Sequence, residues 1–226
     1  MAKGMLPFHP ALGEIDPTIP VFPLPGAMLL PYGRMPLNIF EPRYLALVED
    51  ALGAGRMFGM IQPDSLRPPV INGAATFSIG CLGRITSFSE TEDGRIVLSL
   101  LGVIRFAVLE EVALRRGYRC MRVDYARYAS DLDPPSQDIG LPRKALLASL
   151  RGYFERQGMT ADWDTIGEMD DATLLTALCM MCPFAPSEKQ ALLEADSPPQ
   201  RTQILQALLE FGMHGNEPEG GTHRLS

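Results

Sequence analysis

The sequence predicts an α+β fold in which a small, partly closed β-barrel is followed by an α-helical bundle. Before about residue 130, short β-rich segments alternate with Gly and Pro, whereas after it apolar residues recur at helical spacing. The 226 residues, of which 46% are hydrophobic and 21% charged, suffice for one large or two small domains with a buried core. Mostly disordered, collagen-like and coiled-coil chains are therefore excluded.

The first part of the chain is predicted to contain about six short strands and one helix. The β-rich segments are 21–24, 27–30, 35–40, 56–61, 76–90, 95–109 and 118–128. Pro42 suits the first turn of the helix, and Gly53 suits its end. The Asp93-Gly94 turn between two β-rich runs predicts a hairpin. Short strands in this number favour a small barrel.

The second part of the chain is predicted to form four helices. Apolar stripes mark 141–157 and 170–181, with Asp170 or Asp171 as N-cap, and two capping boxes begin at Ser187 and Ser197. The last helix should stop at Gly212. The predicted divisions are a flexible arm at 1–17, a barrel at 18–129, a linker at 130–140, a bundle at 141–212 and a disordered tail at 213–226.

The charge balance bears on partners and location. Twenty Lys and Arg residues against 27 Asp and Glu give a net charge of −7, which disfavours nucleic acid as a partner. No apolar run approaches the roughly 20 residues that span a bilayer. The first residues also lack the apolar core and cleavage site of a secretory signal. The sequence therefore predicts a cytoplasmic protein without a membrane partner.

The motifs of the common catalytic sites do not occur in the sequence. There is no P-loop, no G-x-S-x-G elbow and no H-E-x-x-H pair. The three histidines, His9, His214 and His223, are expected in the flexible ends, and Lys144 and Lys189 on solvated faces. Without a general base or an activated nucleophile, we predict no catalytic residue, no metal site and no cofactor.

The four cysteines at 81, 120, 179 and 182 are too scattered for a disulfide framework. Cys179 and Cys182 form a C-x-x-C pair, which is compatible with redox chemistry or with half of a zinc site. The pair closes an apolar helical run instead of opening a helix, and no second C-x-x-C is present. Buried, unreactive thiols are therefore the favoured interpretation.

Arginines and tyrosines alternate near the end of the first part. The residues are Arg115, Arg116, Arg119, Arg122 and Arg127 with Tyr118, Tyr125 and Tyr128. Basic side chains beside exposed aromatic rings bind single-stranded nucleic acid, so an RNA-binding surface at 115–127 is the alternative function. The competing interpretation is a strand whose arginines are solvated and partly paired with Asp124 and Glu110.

Two runs of residues have a distinctive order. The stretch 20–52 contains Phe-Pro-Leu-Pro-Gly, an apolar segment with a proline and then Leu-Asn-Ile-Phe-Glu-Pro-Arg-Tyr, while 79–111 has spaced glycines, Asp-Gly-Arg and Gly-Val-Ile-Arg-Phe. The motif residues are Phe40, Glu41, Arg43, Tyr44, Gly80, Gly83, Gly102, Arg105 and Phe106. Over about residues 18–212, the order and spacing of these segments resemble the N-terminal domain of Lon proteases.

The resemblance implies a PUA-like β-barrel followed by a helical bundle, in a module that captures substrate proteins and supports assembly. The ATPase and the Ser–Lys peptidase of Lon proteases lie further along their chains, so the expectation here is a stand-alone, non-catalytic domain. The implied partners are unfolded or hydrophobic polypeptide and a protease or chaperone. No oligomeric state is predicted.

The motif residues themselves are expected to be structural. Glu41 and Arg43 fall in the first helical turn, where a carboxylate suits the helix dipole. Phe40 and Tyr44 are expected to pack this helix on the barrel. Bulges or close backbone approach account for the motif glycines.

Methionines near the first strands are the candidate polypeptide-binding residues. Flexible thioether side chains suit surfaces that accept many apolar partners, and the sequence has 12 of them. The candidates are Met28, Met35, Met57 and Met60. The competing interpretation is that these side chains fill gaps in the core.

Overall fold

The computed structural model describes residues 9–136 and 138–214. The strands are β1 (Thr18–Pro23), β2 (Arg34–Ile39), β3 (Met57–Ile61), β4 (Ile79–Glu90), β5 (Ile96–Arg115) and β6 (Tyr118–Asp124). The helices are α1 (Pro42–Gly53), α2 (Arg143–Gln157), α3 (Trp163–Glu168), α4 (Asp171–Met181), α5 (Pro186–Glu194) and α6 (Pro198–His214). Short 3-10 segments cover Leu12–Glu14 and Ala126–Leu132. The predicted α+β class is confirmed.

The six strands form one sheet in the order β2-β5-β4-β3-β1-β6. The pair β1–β3 is parallel and the others are antiparallel. Because β6 also pairs with β5, the pairings run from β5 through β4, β3, β1 and β6 back to β5. Such a circuit is what a barrel requires, while β2 pairs with β5 alone. The PUA-like assignment itself stays a prediction.

Strand β5 is longer than the sequence pattern indicates. Its predicted end lies at Leu109, yet the strand continues to Arg115. Glu110 and Glu111, which resemble a strand end by composition, pair with Arg122 and Arg119 on β6. These cross-strand ion pairs let the charged residues stay in the ladder.

The predicted strand at 27–30 is wrong. Met28, Leu29 and Leu30 are buried, but no ladder pairs with them. They form an irregular segment packed on the sheet. A short apolar run has no distinguishing period, so its composition does not distinguish a strand from an irregular buried segment.

Five helices, not four, occupy the second part of the chain as described from residue 143 to residue 214. The additional one is α3, which Asp162 caps by accepting a hydrogen bond from Thr165 N–H (3.1 Å). Its six residues are too few to show a helical period. Asp170 caps α4 through Thr173 N–H (3.0 Å), one of the two predicted positions.

The two predicted capping boxes are only partly formed. Helix α5 begins at Pro186, and the Glu188 carboxylate accepts from Ala185 N–H (2.7 Å), so Ser187 is not its N-cap. At α6, Ser197 Oγ accepts from Gln200 N–H (3.4 Å). The Gln200 amide oxygen accepts from Asp196 N–H instead of from Ser197 (2.7 Å).

A single apolar cluster joins the sheet to the helices. It includes sheet residues such as Phe58 and Leu100 together with Leu146, Leu178 and Leu205 of α2, α4 and α6. The helical part therefore packs on the sheet, and a groove remains where the two meet. Among the helices described, none combines the length and the hydropathy that a bilayer crossing requires.

Candidate functional site

A groove of about 710 Å³ lies where the sheet meets the helices. Four segments and Arg105 of β5 line it: 31–36 at the start of β2, residues from 130–136 together with Ile139 after β6, helix α4, and the corner between α5 and α6. Its apolar lining includes Met35, Ile139, Leu175, Met180 and Met181. A concave, mainly apolar surface with a few polar groups is the usual form of a binding site.

The wall of the groove that residues 31–36 form depends on a close backbone approach at Gly102. A side chain at this position would overlap the carbonyl oxygen of Leu30. Without one, Tyr32 N–H donates to the Gly102 carbonyl (2.9 Å), and Gly102 N–H donates to the Gly33 carbonyl (2.8 Å). Tyr32 has a φ of 63° there, and its hydroxyl donates across to the Leu132 carbonyl (2.9 Å).

The floor of the groove contains the buried ion pair Arg105–Asp131. Their side chains are 6% and 10% exposed, and Arg105 Nε and Nη2 each donate to a different Asp131 oxygen at 2.8 Å. Arg105 Nη1 also donates to the carbonyls of Leu193 (3.1 Å) and Ala195 (2.7 Å). The motif arginine thus joins β5 to the segment after β6 and to the α5–α6 corner.

Tyr128 covers the same guanidinium, whose carbon lies 4.4 Å from the ring centroid. Burial alone would lower the pKa of Arg105, but the hydrogen bonds and charge of Asp131 outweigh it and raise that pKa. The guanidinium of Arg105 therefore stays charged. The ion pair fixes the floor of the groove.

The structure does not bring the four candidate methionines together. Met28 and Met60 are 1% and 2% exposed and belong to the core, so neither offers a surface. Met35 lines the groove, whereas Met57 lines a separate cavity of about 310 Å³. For Met28 and Met60 the competing interpretation, that they fill the core, describes the packing.

Two methionines that sequence reasoning missed, Met180 and Met181, line the groove beside Met35. Met181 is 79% exposed. It follows Leu174 by seven residues, a spacing typical of one buried helix face, so periodicity alone assigns it to the core. Helix α4 ends at Met181, and the side chain is left at the surface.

The helix motif at 40–44 is divided between surface and core. Phe40 is 61% exposed, so its expected packing on the sheet is wrong; Arg95 lies over its ring instead (5.6 Å). Tyr44 is buried against Phe22, with ring centroids 4.1 Å apart. Glu41 precedes the first turn and accepts two hydrogen bonds from Arg43 (3.0 and 2.8 Å).

The remaining motif residues lie at tight backbone contacts within the sheet. A side chain at Gly80 would overlap the buried ring of Phe106, and one at Gly83 would overlap Leu100. The register of β4 and β5 shifts between Leu82 and Gly83. The glycines at these positions allow close packing within the sheet.

The arginine cluster at 115–127 does not form a nucleic-acid surface of the predicted kind. All three tyrosines are buried, so their rings cannot stack on bases. Every arginine of the cluster is paired with a carboxylate: the pairs are Arg115–Asp50, Arg116–Glu49 and Asp50, Arg119–Glu111, Arg122–Glu110 and Arg127–Asp196. Asp124, an expected partner, instead accepts from Ala126 N–H (3.0 Å).

The four cysteines are free and buried. Burial raises the pKa of Cys179 and of Cys182 to about 12, and it also raises the pKa of Cys81 and of Cys120. Thiolates are therefore strongly disfavoured, which argues against nucleophilic or redox chemistry. Residues 9–136 and 138–214 contain no group of three or more side chains suited to hold a metal ion.

Two residues expected at the surface are packed inside. Lys189 is buried, and its Nζ donates to the carbonyls of Gly26 (2.9 Å) and Met180 (3.2 Å). His9, expected in a flexible arm, is buried and stacks on Tyr32 with ring centroids 5.2 Å apart. His223 lies outside the described residues, as does the side chain of His214.

Comparison with known proteins gives a consistent result. The family model described as the ATP-dependent protease La (LON) substrate-binding domain matches residues 18–210. Lon protease 2 of Sorangium cellulosum is 26% identical over 206 residues, which cover 85% of this chain and 24% of that protein. Lon protease of Desulfosudis oleivorans is 29% identical over 109 residues, which cover 46% of this chain and 13% of that protein. The chain thus spans a quarter or less of these relatives.

Two solved structures share the fold over most of their length. The Lon N-terminal domain protein from Xanthomonas campestris aligns with a TM-score of 0.59 and 28% identity, covering 84% of this chain and 97% of that one. The N-terminal domain of Mycobacterium avium complex Lon protease aligns with a TM-score of 0.58 and 14% identity, covering 85% and 98%. The second likeness, at its low identity, concerns the fold alone.

Proposed function

Because this chain belongs to the Lon protease substrate-binding domain family, we propose that it is a non-catalytic module that binds exposed hydrophobic or unfolded polypeptide. The binding site in this proposal is the groove between β2, α4 and the α5–α6 corner. A protease or chaperone that receives the bound polypeptide is the proposed partner, and the cytoplasm the proposed location.

The observation that carries this proposal is the methionine-containing wall of the groove. Met35, Met180 and Met181 contribute flexible apolar side chains to one concave surface. Such side chains adapt to polypeptides of different sequence at little cost in packing. The high exposure of Met181, together with its neighbours in the groove, marks a surface that an apolar partner would cover.

Binding of a labelled, permanently unfolded polypeptide, followed by fluorescence anisotropy, tests the proposal. Replacing Met35 and Met181 by Ser should weaken binding about tenfold or more, because about 1.4 kcal/mol of apolar contact is lost. Met57→Ser in the separate cavity is the matched control and should leave the affinity unchanged. Thermal melts of both variants show whether the fold is retained.

Equal affinities of the wild type and the groove variant would contradict the assignment of this site. A labelled single-stranded RNA in parallel tests the alternative function. Because the arginines at 115–127 are engaged with carboxylates, we expect no saturable, salt-sensitive binding of this RNA.

A further inference from the structure

Arg201, in the first turn of α6, lines the groove. Only some of the N–H groups of its guanidinium donate hydrogen bonds within the fold. Its Nε donates to the Leu192 carbonyl (2.9 Å), and its Nη2 donates to the Ala195 carbonyl (3.4 Å). Among residues 9–136 and 138–214, Nη1 has no hydrogen-bond partner and the side chain forms no ion pair. Arg201 therefore presents free donors to the groove.

The nearby carboxylates are paired with other arginines, so Arg201 has no counterion among them. Both oxygens of Asp131 are engaged by Arg105, and Asp196 is paired with Arg127 at 2.6 Å. Burial lowers the pKa of Arg201, and the positive charge of Arg105 lowers it further. A desolvated cation beside another cation favours an anion supplied by a partner.

We propose that Arg201 binds the side-chain carboxylate of an Asp or Glu in the bound polypeptide, while neighbouring apolar residues of that polypeptide contact the methionine wall. The inference rests on the proposed function and adds a sequence preference to it. Guanidinium groups bind carboxylates through charge-assisted, often two-pronged hydrogen bonds, so one contact of this kind can select among apolar segments.

The start of α6 favours a side-chain carboxylate over a chain-terminal one. A terminal carboxylate is usually held by several free backbone N–H groups. Pro198 and Pro199 have none, and the N–H groups of Gln200 and Arg201 already donate to Ser197. In addition, Asp133 lines the groove beside Tyr32, so a run of acidic residues is disfavoured relative to a single one.

Three labelled peptides test this preference, each with apolar residues around one central position. Two carry Asp or Asn there and are amidated at the C-terminus, and the third carries Asn and a free C-terminal carboxylate. We expect the wild type to bind the Asp peptide about tenfold more tightly than either Asn peptide, about 1.4 kcal/mol. In Arg201→Gln the three affinities should become equal, at the level of the Asn peptides.

Arg122→Gln, which removes the same charge from an exposed ion pair outside the groove, is the matched control and should keep the tenfold preference. Equal affinity of the wild type for all three peptides would overturn the inference but leave the proposed function standing. Tighter binding of the free-carboxylate peptide alone would also overturn it. No binding of any peptide would contradict both. The wild-type comparison decides the matter even if Arg201→Gln does not fold.

Discussion

Arg105 is the residue whose environment most constrains the groove, because its charge is buried and has one carboxylate partner, Asp131. Replacing Asp131 by Ala would leave the guanidinium without a counterion. We expect a loss of about 3–5 kcal/mol in the free energy of unfolding, as is typical when one partner of a buried pair is removed. Urea denaturation of the variant measures this loss.

The exposed pair Arg122–Glu110 provides the control for that variant. Both side chains are about half exposed, so Glu110→Gln should shift the denaturation midpoint far less than Asp131→Ala does. If the two variants had the same effect, the Arg105–Asp131 pair would contribute no more than a surface pair, contrary to its burial.

We expect His9 to make the stability depend on pH. Burial lowers the pKa of His9 below its ordinary 6.5, and the charge of Arg84 lowers it further. Its Nε2 atom is buried without a hydrogen-bond partner. As the pH falls through 6.5, the unfolded chain binds a proton that the folded state resists, so stability falls with pH until the folded pKa is reached.

His9→Phe should keep the stacking on Tyr32 and remove this proton. We therefore expect the decrease in Tm between pH 7.5 and pH 5 to be smaller in the variant than in the wild type. Carboxylates that titrate in the same range affect both proteins equally. An identical decrease in the two proteins would show that His9 is exposed or already protonated in the folded state.

At the residue scale, the sequence did not predict whether a given side chain is buried or exposed. Lys189 reads as solvated because lysine is rarely buried, yet two backbone carbonyls accept from its Nζ. Met28 and Met181 have the same side chain, but one lies in the core and the other at the surface. Which face of a segment is covered depends on elements distant in sequence, and a local pattern carries no information about them.

At the scale of elements, the segment before β2 is held in place by the glycine opposite it. Gly102→Ala would place a methyl group on the Leu30 carbonyl, which is backbone and cannot rotate away. We expect destabilisation of at least about 3 kcal/mol, the upper end for overpacking an interior. Gly53→Ala, with no atom within 4 Å of the added carbon, is the control.

Differential scanning calorimetry of these two variants measures the effect. Gly53→Ala at the end of α1 should be neutral or stabilising by up to about 0.5 kcal/mol, because alanine loses less backbone entropy in a helix. A Tm of Gly102→Ala within a degree or so of the wild type would mean that the segment 27–33 moves readily, and the wall of the groove would not be fixed.

The sequence predicted most strands and helices, because their periods and end signals are local. It missed α3, which is too short to show a period, and the last six residues of β5, where the glutamates pair with cross-strand arginines. The groove was not predicted. It is formed by segments as far apart in the sequence as residues 31–36 and 196–201, which meet only through tertiary packing.

At the scale of the whole molecule, the shared core and the contacts of Arg105 predict cooperative unfolding. The sequence has one tryptophan, Trp163 in α3, so fluorescence reports on the helical part alone. Hydrogen exchange of the β4 and β5 amides reports on the sheet. We expect both probes to give one common urea midpoint, as in two-state unfolding. Separate midpoints would indicate two independent domains.

The central claim is that the groove is where this member of the Lon substrate-binding domain family binds polypeptide. Methionine-methyl NMR tests it most directly, because the methionines lie in the groove, in the core and in the separate cavity. On titration with an unfolded polypeptide, we predict that the methyl signals of Met35, Met180 and Met181 shift together while those of Met28, Met57 and Met60 stay. Shifts confined to Met57, or saturable binding that moves none of the groove signals, would contradict the claim.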